Sequence, residues 1–196
     1  MCGVRRAVRT PQVQSAKHPQ LYHVIGDPTF CASAIRAIRT IDPSASITAI
    51  DRCIGADKGA SIPGGYKGVK LMAQFDTNVN DSEYKLYKAV IAKFGRSLPL
   101  DAVVASGYQG MLGFVRAVNA GGGTDVTSAG ILKALQTMPA TPYPLVGGAK
   151  FKCDGTALAG ISKNICSTVA FVADGVADGS TSNYKTLDMT GIFKLG

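Results

Sequence analysis

The sequence predicts an α/β fold, and three observations carry that prediction. An apolar stretch, Leu21–Ile25, is followed by a turn and then by a helical stripe. A second apolar stretch, Ile47–Ile50, closes the unit. A further run of alternating character at Gly68–Phe75 repeats the strand signal, and Thr168–Ala173 repeats it again late in the chain. Strands separated by helix-length periodic segments are the pattern of crossover-connected parallel sheets.

Each element has a local reason. In residues 28–40, Cys31, Ala34, Ile35 and Ile38 recur at i, i+3, i+4 and i+7, one apolar face for a sheet. Pro28 suits the first helical turn, where its missing N–H costs nothing, and Asp27 is placed to cap it. Arg36 and Arg39 fall near the helix end, where the dipole favours cations. Ile54–Gly65 reads as a glycine-rich loop with a short helical turn. Ser82 caps a predicted helix over 83–94, with Tyr84, Tyr87, Val90, Ile91 and Phe94 as its apolar side. A long helix over 101–120 runs through Val104, Tyr108, Met111, Leu112, Val115 and Val118. Gly121–Gly123 ends it with a left-handed residue that glycine tolerates. Thr127 caps a third helix, to about Met138, with Ile131, Leu132 and Leu135 buried. Pro139, Pro142 and Pro144 then argue against regular structure. A short strand falls within Val146–Lys152, Cys153-Asp154-Gly155 is a turn signal, and Asn183–Asp188 is a further strand.

Composition bounds the rest. A chain of 196 residues, 46% hydrophobic, can bury a core, and no apolar run approaches the ~18 residues of a membrane span. The net charge of +8 is spread along the chain: residues 1–20 carry four basic groups and no acid, and the remainder is mixed. Neither a basic stripe with interleaved aromatics nor a known motif supports nucleic-acid binding. Residues 1–20 are polar, basic and aperiodic and read as a poorly packed segment. With two histidines and no CxxC among five cysteines, zinc is poorly supported, and no other metal site or cofactor motif is evident. No nucleophile–histidine–acid set can be assembled, so the reading is a binding protein rather than an enzyme.

Four cysteines fall into two local pairs. Cys31 and Cys53 can meet if the loops after the first two strands are neighbours, and Cys153 and Cys166 flank one short segment. Two disulfides would indicate an oxidising compartment; four buried thiols are the alternative. No apolar leader follows Met1, so either a cytosolic protein or a start lying upstream is expected.

A parallel βαβ unit puts both strand carboxyl ends on one edge, where α/β sheets bind ligands. Gly26–Phe30 and Asp51–Cys53 are therefore expected as neighbours on a binding edge, beside the unpaired N–H groups of a helix start.

Gly26-Asp27-Pro28-Thr29-Phe30-Cys31, the helix 34–39, Ile62-Pro63-Gly64-Gly65-Tyr66-Lys67-Gly68-Val69, Ser106-Gly107-Tyr108-Gln109 and Phe151-Lys152-Cys153-Asp154-Gly155 share one order and spacing. From Leu21 to Asp188 the chain resembles the second half of type I periplasmic solute-binding proteins, of the class serving branched-chain amino-acid ABC importers. The resemblance implies parts of two three-layer α/β lobes of a Venus-flytrap fold, truncated at the N-terminus. It implies that residues 21–76 and 166–196 are second-lobe elements, and that 77–165 are first-lobe helices with a returning strand. It implies a small-molecule ligand (an amino acid or analogue), a membrane permease as partner, and a periplasmic or cell-surface location. Carried onto this chain, the ligand residues are Asp27, Thr29 and Phe30 on the first loop and Asp51 and Arg52 on the second. Asp51 would meet an ammonium group and Arg52 a carboxylate. A ligand-sensing domain of the same fold, or a non-functional remnant, are the alternatives.

Overall fold

The computed structural model describes residues 20–189 and Ile192; the expectation for residues 1–19 lies outside them. In chain order the elements are β1 (Leu21–Val24), α1 (Pro28–Ile41), β2 (Ser46–Ile50), a 3-10 turn (Asp51–Cys53), α2 (Ala56–Gly59) and β3 (Val69–Ala73). Then come α3 (Ser82–Phe94), α4 (Ala102–Ala120), α5 (Ser128–Thr137), β4 (Thr141–Pro142), β5 (Lys150–Phe151), β6 (Val169–Gly175) and β7 (Thr181–Asp188). The described residues divide into two compact units: 20–73 with 172–185, and 74–171 with 186–189 and Ile192.

The first unit is built on a sheet of order β1-β2-β3-β6-β7. β1, β2 and β3 pair in parallel, Tyr22 opposite Ile47 and Ile47 opposite Val69. β6 and β7 are neighbours joined by a short turn, a connection that only an antiparallel pair allows. α1 begins as predicted, with the Asp27 carboxylate accepting from the Thr29 and Phe30 N–H groups. Its buried stripe, Cys31, Ala32, Ile35 and Ile38, joins Tyr22, Val24, Ile47, Val69 and Leu71 in one core.

Arg39 does more than complement the helix dipole. Its Nη1 donates to the carbonyls of Pro63 (2.7 Å) and Gly65 (2.6 Å), and its Nη2 to that of Lys67 (2.6 Å). The planar fork thus fixes the 63–67 loop. Within that loop Gly65 has φ +60°, and a Cβ there would lie 2.0 Å from the Ala177 carbonyl oxygen, so no side chain fits.

The second unit is helical. α3 is capped by Asp81, not Ser82: the Asp81 carboxylate accepts from the Glu83 and Tyr84 N–H groups, which makes Ser82 the first helical residue. Asp101 and Thr127 cap α4 and α5. Of the three glycines after α4, Gly122 takes the left-handed conformation (φ +69°). Gly121 serves contact instead: a Cβ there would fall 2.0 Å from the Ala134 carbonyl of α5. The prolines do not exclude a strand, because Pro142 sits in the two-residue ladder β4–β5, where Thr141 opposes Phe151 and Pro142 opposes Lys150. A proline is tolerated at such a short sheet edge. The cores here are small clusters: Phe75, Tyr87, Ala105 and Leu145, and Ala117, Met138 and Phe151. The Arg116 guanidinium meets the Glu83 carboxylate at 3.0 Å, linking α4 to α3.

The helices of this unit bury only part of the stripes that their periodicity marks: Tyr84, Tyr87, Ile91, Val104, Tyr108 and Leu135 pack on its cores. α4 buries Ala105, Gly113 and Ala117, while Met111 and Val115 are exposed. α3 buries Tyr87 and leaves Phe94 in the open; α5 buries Ala134 and leaves Leu132 exposed. Small residues permit close helix contact on one side, so the larger apolar side chains face away from it.

Both predicted cysteine pairs are bonded: Cys31–Cys53, with Cα atoms 5.3 Å apart, in the first unit, and Cys153–Cys166, 4.2 Å apart, in the second.

Candidate functional site

The carboxyl edge of β1 and β2, in the first unit, is where the structure places all five residues named from the sequence. β1 ends at Val24, and Ile25–Asp27 leads into α1. β2 ends at Ile50, and Asp51–Cys53 forms the 3-10 turn. Parallel pairing of the two strands sets these exits side by side. The Cys31–Cys53 disulfide, with both residues fully buried, ties the first turn of α1 to the end of the 3-10 turn. The Tyr66 hydroxyl, also buried, donates to the Cys53 carbonyl at 2.9 Å and anchors the turn from below.

The side chains on this edge divide by role. Asp27 is exposed, but its Oδ1 accepts from Thr29 N–H (2.9 Å) and Phe30 N–H (3.0 Å), so its carboxylate shapes the loop. Thr29 is exposed, and its carbonyl accepts from the Ser33 hydroxyl. The Phe30 ring is 41% exposed at the start of α1, beside Ile25 at 62%. Asp51 is half-buried and engaged in an interaction of its own. Arg52 is exposed. The edge thus offers an apolar surface at Ile25 and Phe30, a guanidinium at Arg52 and a carboxylate at Asp51, held on a disulfide-tied frame.

Tyr66 and Arg39 are the supporting residues that sequence reasoning missed. Their partners lie 13 residues away for Tyr66 and 24 or more for Arg39, and no local pattern announces such pairings.

A second concavity, of about 660 Å³, lies within the second unit. Gln74, Ser106, Gln109, Tyr143 and Asn164 line it with the Cys153–Cys166 disulfide. Gln109 Nε2 donates to the Pro144 carbonyl at 3.0 Å and to the Gln74 carbonyl at 3.3 Å, so its amide is spent on holding the wall. Among the described residues no group of histidine, cysteine, aspartate and glutamate side chains is arranged to hold a metal ion. No helix among them is long and apolar enough to cross a membrane.

Solved structures reproduce this arrangement of elements. A substrate-binding protein of an ABC transporter from Aeropyrum pernix superposes with a TM-score of 0.69 at 13% identity, over 95% of this chain and 50% of its own. An extracellular ligand-binding receptor from Verminephrobacter eiseniae gives 0.68 at 20% identity, over 90% of this chain and 48% of its own. The branched-chain amino-acid binding protein LivJ from Streptococcus pneumoniae, solved with isoleucine, gives 0.61 at 12% identity over 91% and 48%. The chain has the type I periplasmic-binding-protein fold. It spans about half the length of the solved structures that it matches. No protein-family model matches it, and no curated protein matches it.

Proposed function

We propose that the chain is part of the extracytoplasmic solute-binding component of an ABC importer for amino acids or similar small solutes. In this reading residues 21–76 and 166–196 belong to the second lobe and 77–165 to the first. The carboxyl edge of β1 and β2 supplies one wall of the ligand site. The observation that carries the reading is that edge: two parallel-strand exits joined by the Cys31–Cys53 disulfide, presenting Phe30, Asp51 and Arg52 together. The fold supports it, since LivJ, which has the same fold, was solved with isoleucine.

Arg52 receives the ligand carboxylate and Asp51 the ammonium, while Phe30 and Ile25 pack its side chain. Asp27 and Thr29 hold the loop: the Asp27 carboxylate takes the Thr29 and Phe30 N–H groups, so the anion is left to Arg52. The permease is the partner, and the protein works outside the cytoplasm, where both disulfides persist. Binding requires no catalysis and no cofactor.

The test is a thermal melt of the chain against the twenty L-amino acids at millimolar concentration. A ligand that binds only the native state stabilises it by about 1.4 kcal/mol at ten times its Kd. At least one amino acid is expected to raise Tm by several degrees, and Arg52→Ala with Asp51→Asn should abolish the rise. A flat response across the panel rejects the amino-acid reading.

A further inference from the structure

The two disulfides stand in opposite surroundings. Cys31 and Cys53 are 0% exposed and belong to the core of the first unit, between α1 and the 3-10 turn that Tyr66 anchors. Cys153 and Cys166 are only half-buried, and they line the concavity of about 660 Å³ within the second unit. A thiolate reduces a disulfide by reaching one of its sulfurs, so access decides which bridge opens first.

The second bridge holds a segment that has little else to hold it. Residues 154–165 form no helix or strand, and none of them is fully buried. The Asp154 carboxylate accepts from Thr156 and pairs with the Lys152 ammonium at 2.8 Å. The Ser162 N–H donates to the Leu158 carbonyl, and the Asn164 N–H to the Ser162 hydroxyl. Among the described residues, every hydrogen bond and ion pair of the segment is of this kind, within itself or to Lys152 and Cys166 at its ends. Its last two residues, Asn164 and Ile165, nevertheless line the concavity with Tyr143 and Phe151. Those two rings pack at 5.2 Å, and both cysteines pack on the cluster that contains Phe151. The bridge is what straps the segment against this aromatic wall.

We infer that Cys153–Cys166 is a redox-sensitive strap: a dithiol reductant opens it while Cys31–Cys53 stays closed, and its opening releases residues 154–165 from the concavity. One thiolate of the dithiol attacks a bridge sulfur; the bond between the cysteines breaks, and the other sulfur leaves as a thiolate and takes up a proton. The second thiol of the reductant then displaces the first from the mixed disulfide. The reductant departs as its own disulfide, and two cysteine thiols remain, so two electrons and two protons have passed to the chain. The inference rests on burial and connectivity and is independent of which solute is bound.

The test uses the purified full chain. Free thiols are blocked with N-ethylmaleimide and the reagent is removed. Dithiothreitol is added without denaturant, and new thiols are trapped over time with iodoacetamide and quantified by peptide mass spectrometry. Cys153 and Cys166 are expected to label faster than Cys31 and Cys53 by roughly tenfold or more, because a buried bridge is attacked only in opened molecules. Equal rates, or earlier labelling of Cys31 and Cys53, overturn the inference. The trapped chain, freed of reagents, is then footprinted with hydroxyl radicals. Oxidation of Tyr143 and Phe151 should rise severalfold over the untreated chain, while that of Tyr22 and Tyr66 in the first unit stays constant. No rise at Tyr143 and Phe151 means that the bridge straps nothing, and an equal rise at Tyr22 and Tyr66 means unfolding; either result overturns the inference. Cys153→Ser with Cys166→Ser should show the raised labelling without reductant, and labelling as low as that of the untreated wild type overturns it too.

Discussion

Tyr87 and Tyr108 bury hydroxyl groups that have no hydrogen-bond partner among the described residues, their rings 5.0 Å apart between α3 and α4. Burial first, then the charge of Asp101 and the neighbouring Tyr84, pushes the Tyr87 phenol up to about 12. An unsatisfied buried hydroxyl costs roughly 1–3 kcal/mol. Tyr87→Phe keeps the ring and removes that cost, so urea unfolding should show unchanged or higher stability, by up to about 1 kcal/mol; a loss of that size would mean the hydroxyl has a partner. The pH dependence has a definite sign. Above pH 10 the unfolded phenol loses its proton while the folded one keeps it to about 12. Stability therefore falls as pH rises through that window. Melts between pH 9 and 11 should fall less steeply in Tyr87→Phe than in the wild type. Arg39 offers the opposite case. Its three carbonyl acceptors fix the 63–67 loop, which carries Tyr66, and charge-assisted bonds are the stronger class. Arg39→Ala should cost about 2 kcal/mol, and Arg39→Lys should recover less than half of it, because an ammonium cannot span the fork. Full recovery by lysine would reduce the role of Arg39 to charge at a helix end.

At the scale of elements, β1–α1–β2 is the part of the fold most legible in sequence. Its stripe, its proline, its cap and its two apolar strands all agree, and the sheet that buries the stripe is local. Legibility failed where an outcome depended on contacts distant in sequence. Ser82 and Asp81 are both good caps, and only the backbone path selects Asp81. Pro142 enters a ladder because Phe151 and Lys150 return beside it. On α4 the periodic stripe was read correctly as apolar, but Ala105, Gly113 and Ala117 are the residues that allow helix contact. The two strand exits that carry the five edge residues were legible, since they follow from topology; the choice of these five as ligand residues comes from the family resemblance alone. Tyr66 was not legible, because its bond to the Cys53 carbonyl spans two turns. The Cys31–Cys53 bridge closes a separation of 22 residues and should contribute about 3 kcal/mol through the unfolded chain. Cys31→Ala with Cys53→Ala should lower the unfolding free energy obtained from urea titration by that amount and loosen the edge that it ties. If stability is unchanged, the Tyr66 anchor and the α1 stripe suffice to hold that edge.

For the whole molecule, the two units differ in what holds each of them. The first carries a continuous core through Tyr22, Ile35, Ile47, Tyr66, Val69 and Leu71, on parallel strands. The second rests on smaller clusters, with Phe94, Met111 and Leu132 in solvent. Local opening free energy follows the apolar contacts that an opening breaks. Amide hydrogen exchange on the chain should therefore be slowest in β2 and β3, with α1 next. α3 and α5 should exchange far sooner, whatever their helical propensity, because a helix without tertiary cover is marginal in water. α4 should fall between them, held at Ala105, Gly113 and Ala117 on one side alone. Reduction should sharpen the contrast within the second unit: opening Cys153–Cys166 frees the segment between β5 and β6, and exchange should rise there and at Lys152, whose N–H donates to the Cys166 carbonyl at 2.9 Å. Uniform protection across α3, α4 and α5 at the level of β2 would mean that these helices are already fully covered.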